Sequence, residues 1–218
     1  MEENREQKKM NGPLIYAIVG VAVLIVAVAG SAYAYYAASA TANLSGTAAG
    51  AGLSLTVNKV STGASGNLIP IDADTTTLTN AAKGWTGSAI GTSWNASYAC
   101  KDKNGYSVCQ IYEVKLTNSS SVAMNFNIGV TALSGTNTPN IDVVKMASNI
   151  SVTSATSIKG SDSGIANNVA VSANGTSSTY YIMVFIKKLT SAQTDNGAFS
   201  GTVTAISTTG NQVKANFG

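Results

Sequence analysis

TYYIMVFIKKL, residues 179–189, has apolar side chains on both sides of an extended chain. Tyr181, Met183 and Phe185 alternate with Tyr180, Ile182, Val184 and Ile186, with Lys187 ending the first series. Side chains of a strand point alternately to opposite faces, so this run predicts a central strand covered on both sides. Around it the pattern changes. In VAMNFNIGVTAL (122–133), Val122, Met124, Phe126, Ile128 and Val130 share one face, while Ala123, Asn125, Asn127 and Gly129 share the other. That is a strand with one buried face. Further strand-like runs are LSLTV (53–57), NLIPI (67–71), SWNASYAC (93–100), YSVCQIYEVKLT (106–117), IDVVKMA (141–147), ISVTSAT (150–156), NVAVSA (168–173), AFSGTVTAIST (198–208) and NQVKANF (211–217). Gly, Asn, Ser, Thr and Pro clusters separate them, as turns require. No helical stripe follows Gly52, and the stretch from Thr75 to Trp94 reads as an elaborated loop. Many short strands punctuated by turns predict an all-β, Ig-like β-sandwich over residues 52–218.

Cys100 and Cys109 flank KDKNGYSV, which has Asn104-Gly105 at its centre. Asn-Gly favours a two-residue type I′ hairpin turn. Pairing outward from it sets 103 opposite 106 and Cys100 directly opposite Cys109, within disulfide reach. A disulfide implies an oxidising compartment. The spacing is not that of a CxxC redox motif, so the bridge reads as a staple.

The N-terminus agrees with export. A polar start carrying Arg5, Lys8 and Lys9 leads into the uncharged block PLIYAIVGVAVLIVAVAG (13–30), then SAYA. Ala32-Tyr33-Ala34 fits the small-x-small rule for signal peptidase, giving a cleaved signal over 1–34. Extended to Tyr36, the block is also long enough to stay as a membrane anchor. A third reading is a type IV pilin signal cut between Asn11-Gly12 and Pro13, which would make the block a helical filament core.

Residues 35–51 form a separate segment, a tail followed by a Gly/Ala-rich hinge. From Tyr36 to Ser45 the tail alternates strictly: Tyr36, Ala38, Ala40, Ala42 and Leu44 against Ala37, Ser39, Thr41, Asn43 and Ser45. This is a strand pattern ahead of the domain, and a lone strand is not stable until it joins a sheet. Glycines 46, 50 and 52 allow it to leave its own body.

The composition narrows the chemistry. The chain has 218 residues, 11% of them charged, and no histidine. Its only arginine is Arg5, and Glu113 is the sole glutamate beyond Gly30. Without histidine there is no Ser-His-Asp triad, Cys-His dyad or ordinary zinc site, and no phosphate-binding glycine motif precedes a lysine. An enzyme is not expected, nor is a cofactor. A formal net charge of +3, with the lysines of the body mostly isolated, argues against nucleic acid as a partner. A surface that relies on few carboxylates has little to lose in acid.

Five Asn-x-Ser/Thr sequons, at Asn43, Asn95, Asn118, Asn149 and Asn174, are candidate N-glycosylation sites, and N-linked glycans are expected on an exported chain. Asp72 and Asp74 are a weak calcium candidate. Glu113 and Lys115 lie on one strand face, as a surface pair or as an acid assisting a Lys-Asn crosslink. Trp85, Trp94 and Tyr98 are a candidate aromatic platform for a carbohydrate, or buried core.

Taken together, the signal-like block ending SAYA, the tail YYAASATANLSGTAAGAG and the Thr/Ser/Asn-rich β body with sequons resemble the thread filament subunits of thermoacidophilic archaea of the Sulfolobus type. That resemblance implies an extracellular, glycosylated, cell-surface filament in which each subunit's N-terminal strand completes the sandwich of the next, as in chaperone-usher pili. It implies a homopolymer, a role in adhesion or biofilm contacts, and no membrane contact after signal cleavage. A membrane-anchored β-sandwich binding protein is the other reading. Intact mass and N-terminal sequencing of the cell-surface protein are expected to give a start at Tyr35. A start at Pro13 would make the apolar block a pilin core, and an uncleaved chain would make it an anchor.

Overall fold

A computed structural model describes residues 52–64, 68–136, 139–193 and 198–218. The signal segment, the tail strand, the hinge through residue 51 and Asn43 lie outside the described residues. The all-β sandwich expected from the sequence is the observed fold, with one short helix added. Among the described residues no helix is long and apolar enough to cross a membrane.

The first sheet holds β1 (Leu53–Lys59), β4 (Cys109–Asn118), β9 (Tyr180–Ile186) and β6 (Ile141–Met146), paired in that order, with the two-residue β8 (Gly175–Thr176) beside β4. The second is ordered β11 (Gln212–Phe217), β10 (Phe199–Ser207), β5 (Met124–Gly135), β7 (Ala166–Val171). All these pairings are antiparallel. A small hairpin joins β2 (Trp85–Thr86) to β3 (Ala89–Ile90).

β9 sits between β4 and β6, as its two apolar faces require. Ile182 and Val184 point toward the second sheet, into a core with Leu53, Leu55, Phe126, Ile128 and Val203. Met183 and Phe185 point the other way, into a second core with Ile111 and Val144. That outer face is covered by the helix α1 (Thr75–Lys83), through Leu78, Ala81 and Ala82. Here the elaborated loop expected from the sequence is corrected. Asp74 caps the helix by accepting from the Thr77 N–H at 2.9 Å, and Gly84, at φ 70°, closes it by donating to the Asn80 and Ala81 carbonyls. Three threonines at its start are weak helix formers, so tertiary contact stabilises it more than propensity does. The Thr79 hydroxyl ties it to both the N–H and the carbonyl of Val152.

Three expected strands do not form. The described part of NLIPI, residues 68–71, contributes only an isolated bridge from Ile71 to Lys187, SWNASYAC forms turns, and ISVTSAT runs irregularly beside α1. In β5 the expected face is kept through Phe126, Ile128 and Val130. Val122 instead lies before the strand, 62% exposed. A register shift after Val130 then leaves Thr131 without a ladder partner and brings Leu133 to the core.

The two sheets meet where the Phe217 ring lies 4.8 Å from that of Tyr112. The ring occupies the space over Gly201, where an added Cβ would fall 2.2 Å from Phe217 Cζ. Gly201→Ala is therefore expected to destabilise the domain by about 1–3 kcal/mol in urea unfolding, the range for overpacked cores. The loss should shrink in a Phe217→Ala background, and equal losses in both backgrounds would disprove the contact.

Candidate functional site

Each sheet ends at the same side of the sandwich, one on β1, paired with β4, the other on β11, paired with β10, and among the described residues neither has a strand on its outer edge. The carbonyl of Gly52 accepts from Ser119, and the Val60 N–H donates to Ile111 at 2.9 Å. In an antiparallel ladder the backbone groups of alternate residues face the same neighbour. Even-numbered residues of β1 thus face β4, and the N–H and C=O groups of Leu55, Val57 and Lys59 face outward. A groove of about 630 Å³ runs along this edge. Leu55, Tyr112 and Phe217 supply its apolar wall, while Asn58, Thr202 and Asn216 are at its rim. The rim is ordered, since the Thr202 hydroxyl donates to Asn216 Oδ1 at 2.9 Å. Tyr112 donates to Gln110 Oε1 at 2.6 Å, and burial pushes its phenol pKa far up. Lys59 turns its ammonium onto the Ala64 carbonyl, and burial lowers its pKa. An exposed strand edge with an apolar wall is what β-strand addition uses.

The Cys100–Cys109 bridge is present, with a Cα separation of 4.8 Å, but the hairpin beneath it is not the one expected. Lys101 pairs with Ser107, and Val108 donates to Cys100, so Cys100 faces Val108 rather than Cys109. The turn spans one residue more than a type I′ turn: Gly105 donates to the Asp102 carbonyl at 3.0 Å and adopts φ 85°. The Asp102 carboxylate accepts from the N–H groups of Asn104 and Tyr106, which selects this longer turn over a type I′ turn at Asn104-Gly105. Cys100 reaches its partner through a left-handed backbone, φ 65°. Its N–H also donates to Ala81 at the end of α1, so the bridge fastens the covering layer to β4.

The sequons divide. Asn95 and Asn174 are exposed in turns, and Asn149 is half-exposed in another. Asn118 is buried: its Nδ2 donates to the carbonyls of Val122, Val171 and Ser172, and its Oδ1 accepts from Ser120. This corrects Asn118 from a glycan acceptor to a clamp holding the β4–β5 turn against the end of β7. The signal in the sequence was NSSS, in which an Asx turn competes with a sequon.

The two aspartates are engaged separately. Asp72 pairs with Lys188 at 3.7 Å, while hydrogen bonds from Thr77 hold the helix-capping Asp74 carboxyl below the usual range. Glu113 and Lys115 pair at 2.7 Å on the partly exposed outer face, with Tyr181 donating to Glu113 at 3.5 Å. The hydrogen bond to Glu113 raises the Lys115 pKa. Trp94 packs against the second core, whereas Tyr98 is exposed.

No family profile matches the sequence, and no curated protein is detectably similar to it. Among solved structures, a FixG-related protein from Vibrio parahaemolyticus aligns at 12% identity and TM-score 0.30, covering 76% of this chain and 93% of that one. A family 123 glycoside hydrolase from Clostridium perfringens aligns at 11% identity and TM-score 0.31 over 76% of this chain and 27% of that one. The CooA pilin subunit of enterotoxigenic Escherichia coli aligns at 15% identity and TM-score 0.25 over 50% of this chain and 78% of that one. At such scores none of them carries a functional argument.

Peptide mapping of the native protein is expected to find Asn118 unmodified. Asn118→Ala should cost about 1–3 kcal/mol in urea unfolding, because it removes the amide's hydrogen bonds to the Val122, Val171 and Ser172 carbonyls and those Ser120 makes to its Oδ1. A glycan at Asn118, or no loss of stability, would contradict this assignment.

Proposed function

We propose that this chain is the structural subunit of an extracellular, cell-surface filament. In this reading the signal over 1–34 is removed on export, and the tail, residues 36–45, completes the sandwich of a neighbouring copy. The copies join head-to-tail into a homopolymer that serves adhesion or surface contacts. No catalytic step, cofactor or nucleic acid enters it. Asn43, Asn95, Asn149 and Asn174 remain its candidate glycan sites.

The observation that carries this reading is a sandwich with an open edge, in a chain whose own N-terminal segment is patterned as a spare strand. Backbone hydrogen bonds would supply affinity, and the small apolar face of Ala38, Ala40, Ala42 and Leu44 would set register. A contact between two different surfaces of each copy propagates when its rotation does not close into a ring. Few ionised carboxylates take part in the domain, which suits a filament exposed to acid.

Leu44→Asp places a charge on the face that must be buried. It is expected to be secreted and folded but to associate roughly a hundredfold more weakly, about 3 kcal/mol, leaving no filaments by negative-stain electron microscopy. Normal filaments from this variant would sink the register argument.

A further inference from the structure

The described chain begins at Gly52, whose position is set by close packing. Its carbonyl accepts from Ser119, and an added Cβ would lie 2.8 Å from the Ser120 nitrogen. Gly52 therefore lies at the end of the sandwich that holds the β4–β5 turn, the start of β5 at Met124 and the β10–β11 turn. A cavity of about 610 Å³, lined by Ser120, Met124 and Asn211, groups these elements together at that end. The edge groove is displaced toward the opposite end, where residues 55–59 of β1 meet 199–202 of β10 and 215–218 of β11.

Resting on the filament reading, we infer that the tail of a second copy enters this groove from the end remote from Gly52 and adds to the β1 edge as a parallel strand. The polarity follows from the placement. When copies stack end to end, the donor's Gly52 lies at the groove end of the acceptor. Its chain then runs inward from residue 45 toward residue 36. Read in the N-to-C direction, the tail runs the same way as β1. A tail folding back onto its own β1 would have to turn through residues 46–52 and pair antiparallel. The two arrangements cannot share one set of neighbours.

Residue faces match the added strand. Leu53, Leu55 and Val57 of β1 contribute to the core between the sheets, while Asn58 is exposed on the other face. An added strand that directs Ala38, Ala40, Ala42 and Leu44 inward directs Ser39 and Thr41 outward, beside Ser54 and Asn58. At about 3.3 Å per residue, ten tail residues span roughly 33 Å, enough to cover all of β1.

The test joins Ser39→Cys to one of two positions on β1, in the full chain, with a short bis-maleimide as the probe. Both substitutions are on the outer face, and single-cysteine controls report assembly by electron microscopy. With Ser54→Cys, parallel addition between copies gives a ladder of covalent multimers on a denaturing gel. Asn58→Cys gives no such ladder. A link within single chains through Asn58→Cys overturns the inference in favour of a self-paired tail. Filaments that give no ladder with Ser54→Cys overturn the groove and its polarity while leaving the filament reading standing. Absence of filaments from the parent protein overturns both.

Discussion

The β4–β9 pair constrains the rest of the domain, because neither face of it can be left in water. Val114, Leu116, Ile182 and Val184 are buried on one side, Ile111, Met183 and Phe185 on the other. Burial of apolar area is the main favourable term in folding, at about 25 cal/mol per Å². A two-layer sandwich covers only one face of each sheet. The second face of this sheet is closed by α1 and the turns before β4, which form a third layer, and the Cys100–Cys109 bridge fastens that layer to the first residue of β4. A bridge closing so short a loop contributes about 2–3 kcal/mol by restricting the unfolded chain.

The opposite condition holds at the side of the sandwich. Among the described residues β1 and β11 have neighbours on one edge each, and the space beside them is walled by Leu55, Tyr112 and Phe217. An unpaired edge is a liability that proteins usually blunt with charge, proline or a bulge. β1 has none of these before Lys59, whose ammonium is turned inward to Ala64. An edge of this kind, with an apolar wall beside it, is suited to receiving an added strand. The same economy of charge runs through the structure. Its two described ion pairs are at the surface, where such pairs contribute little, and Asn118 does by amide hydrogen bonds what a charged clamp would do elsewhere.

Much of the fold was legible because period-two patterning and turn residues are local. The doubly apolar run at 180–186 identified the central strand, and β1, β4, β5, β6, β7, β10 and β11 followed expected runs to within a few residues. The helix was hidden because a nine-residue segment has room for one short stripe, Leu78, Ala81 and Ala82, and begins with three β-branched residues. Its capping pair, Asp74 and Gly84, was the available signal. The Cys hairpin was misregistered by one residue because Asp102 closes the turn through its side chain, overriding the dipeptide rule at Asn104-Gly105. Asn118 fits a sequon and a buried clamp equally well as a string of letters. Only the position of Val171 and Ser172, more than fifty residues away, separates the two.

By itself the sequence determined the class of structure and the elements that local chemistry controls: an all-β body, a central strand covered on both faces, two cysteines close enough to bridge, and a tail patterned as a strand ahead of the domain. Side-chain periodicity and turn propensity act over a few residues, so they can be read directly. The tertiary structure decided which described strands are edges, that a helix covers the outer face of one sheet, that Asn118 is enclosed, and that the groove beside β1 is lined by residues remote from Gly52. These depend on contacts between residues far apart in the chain, whose pairing is selected by the burial they share rather than by any local pattern.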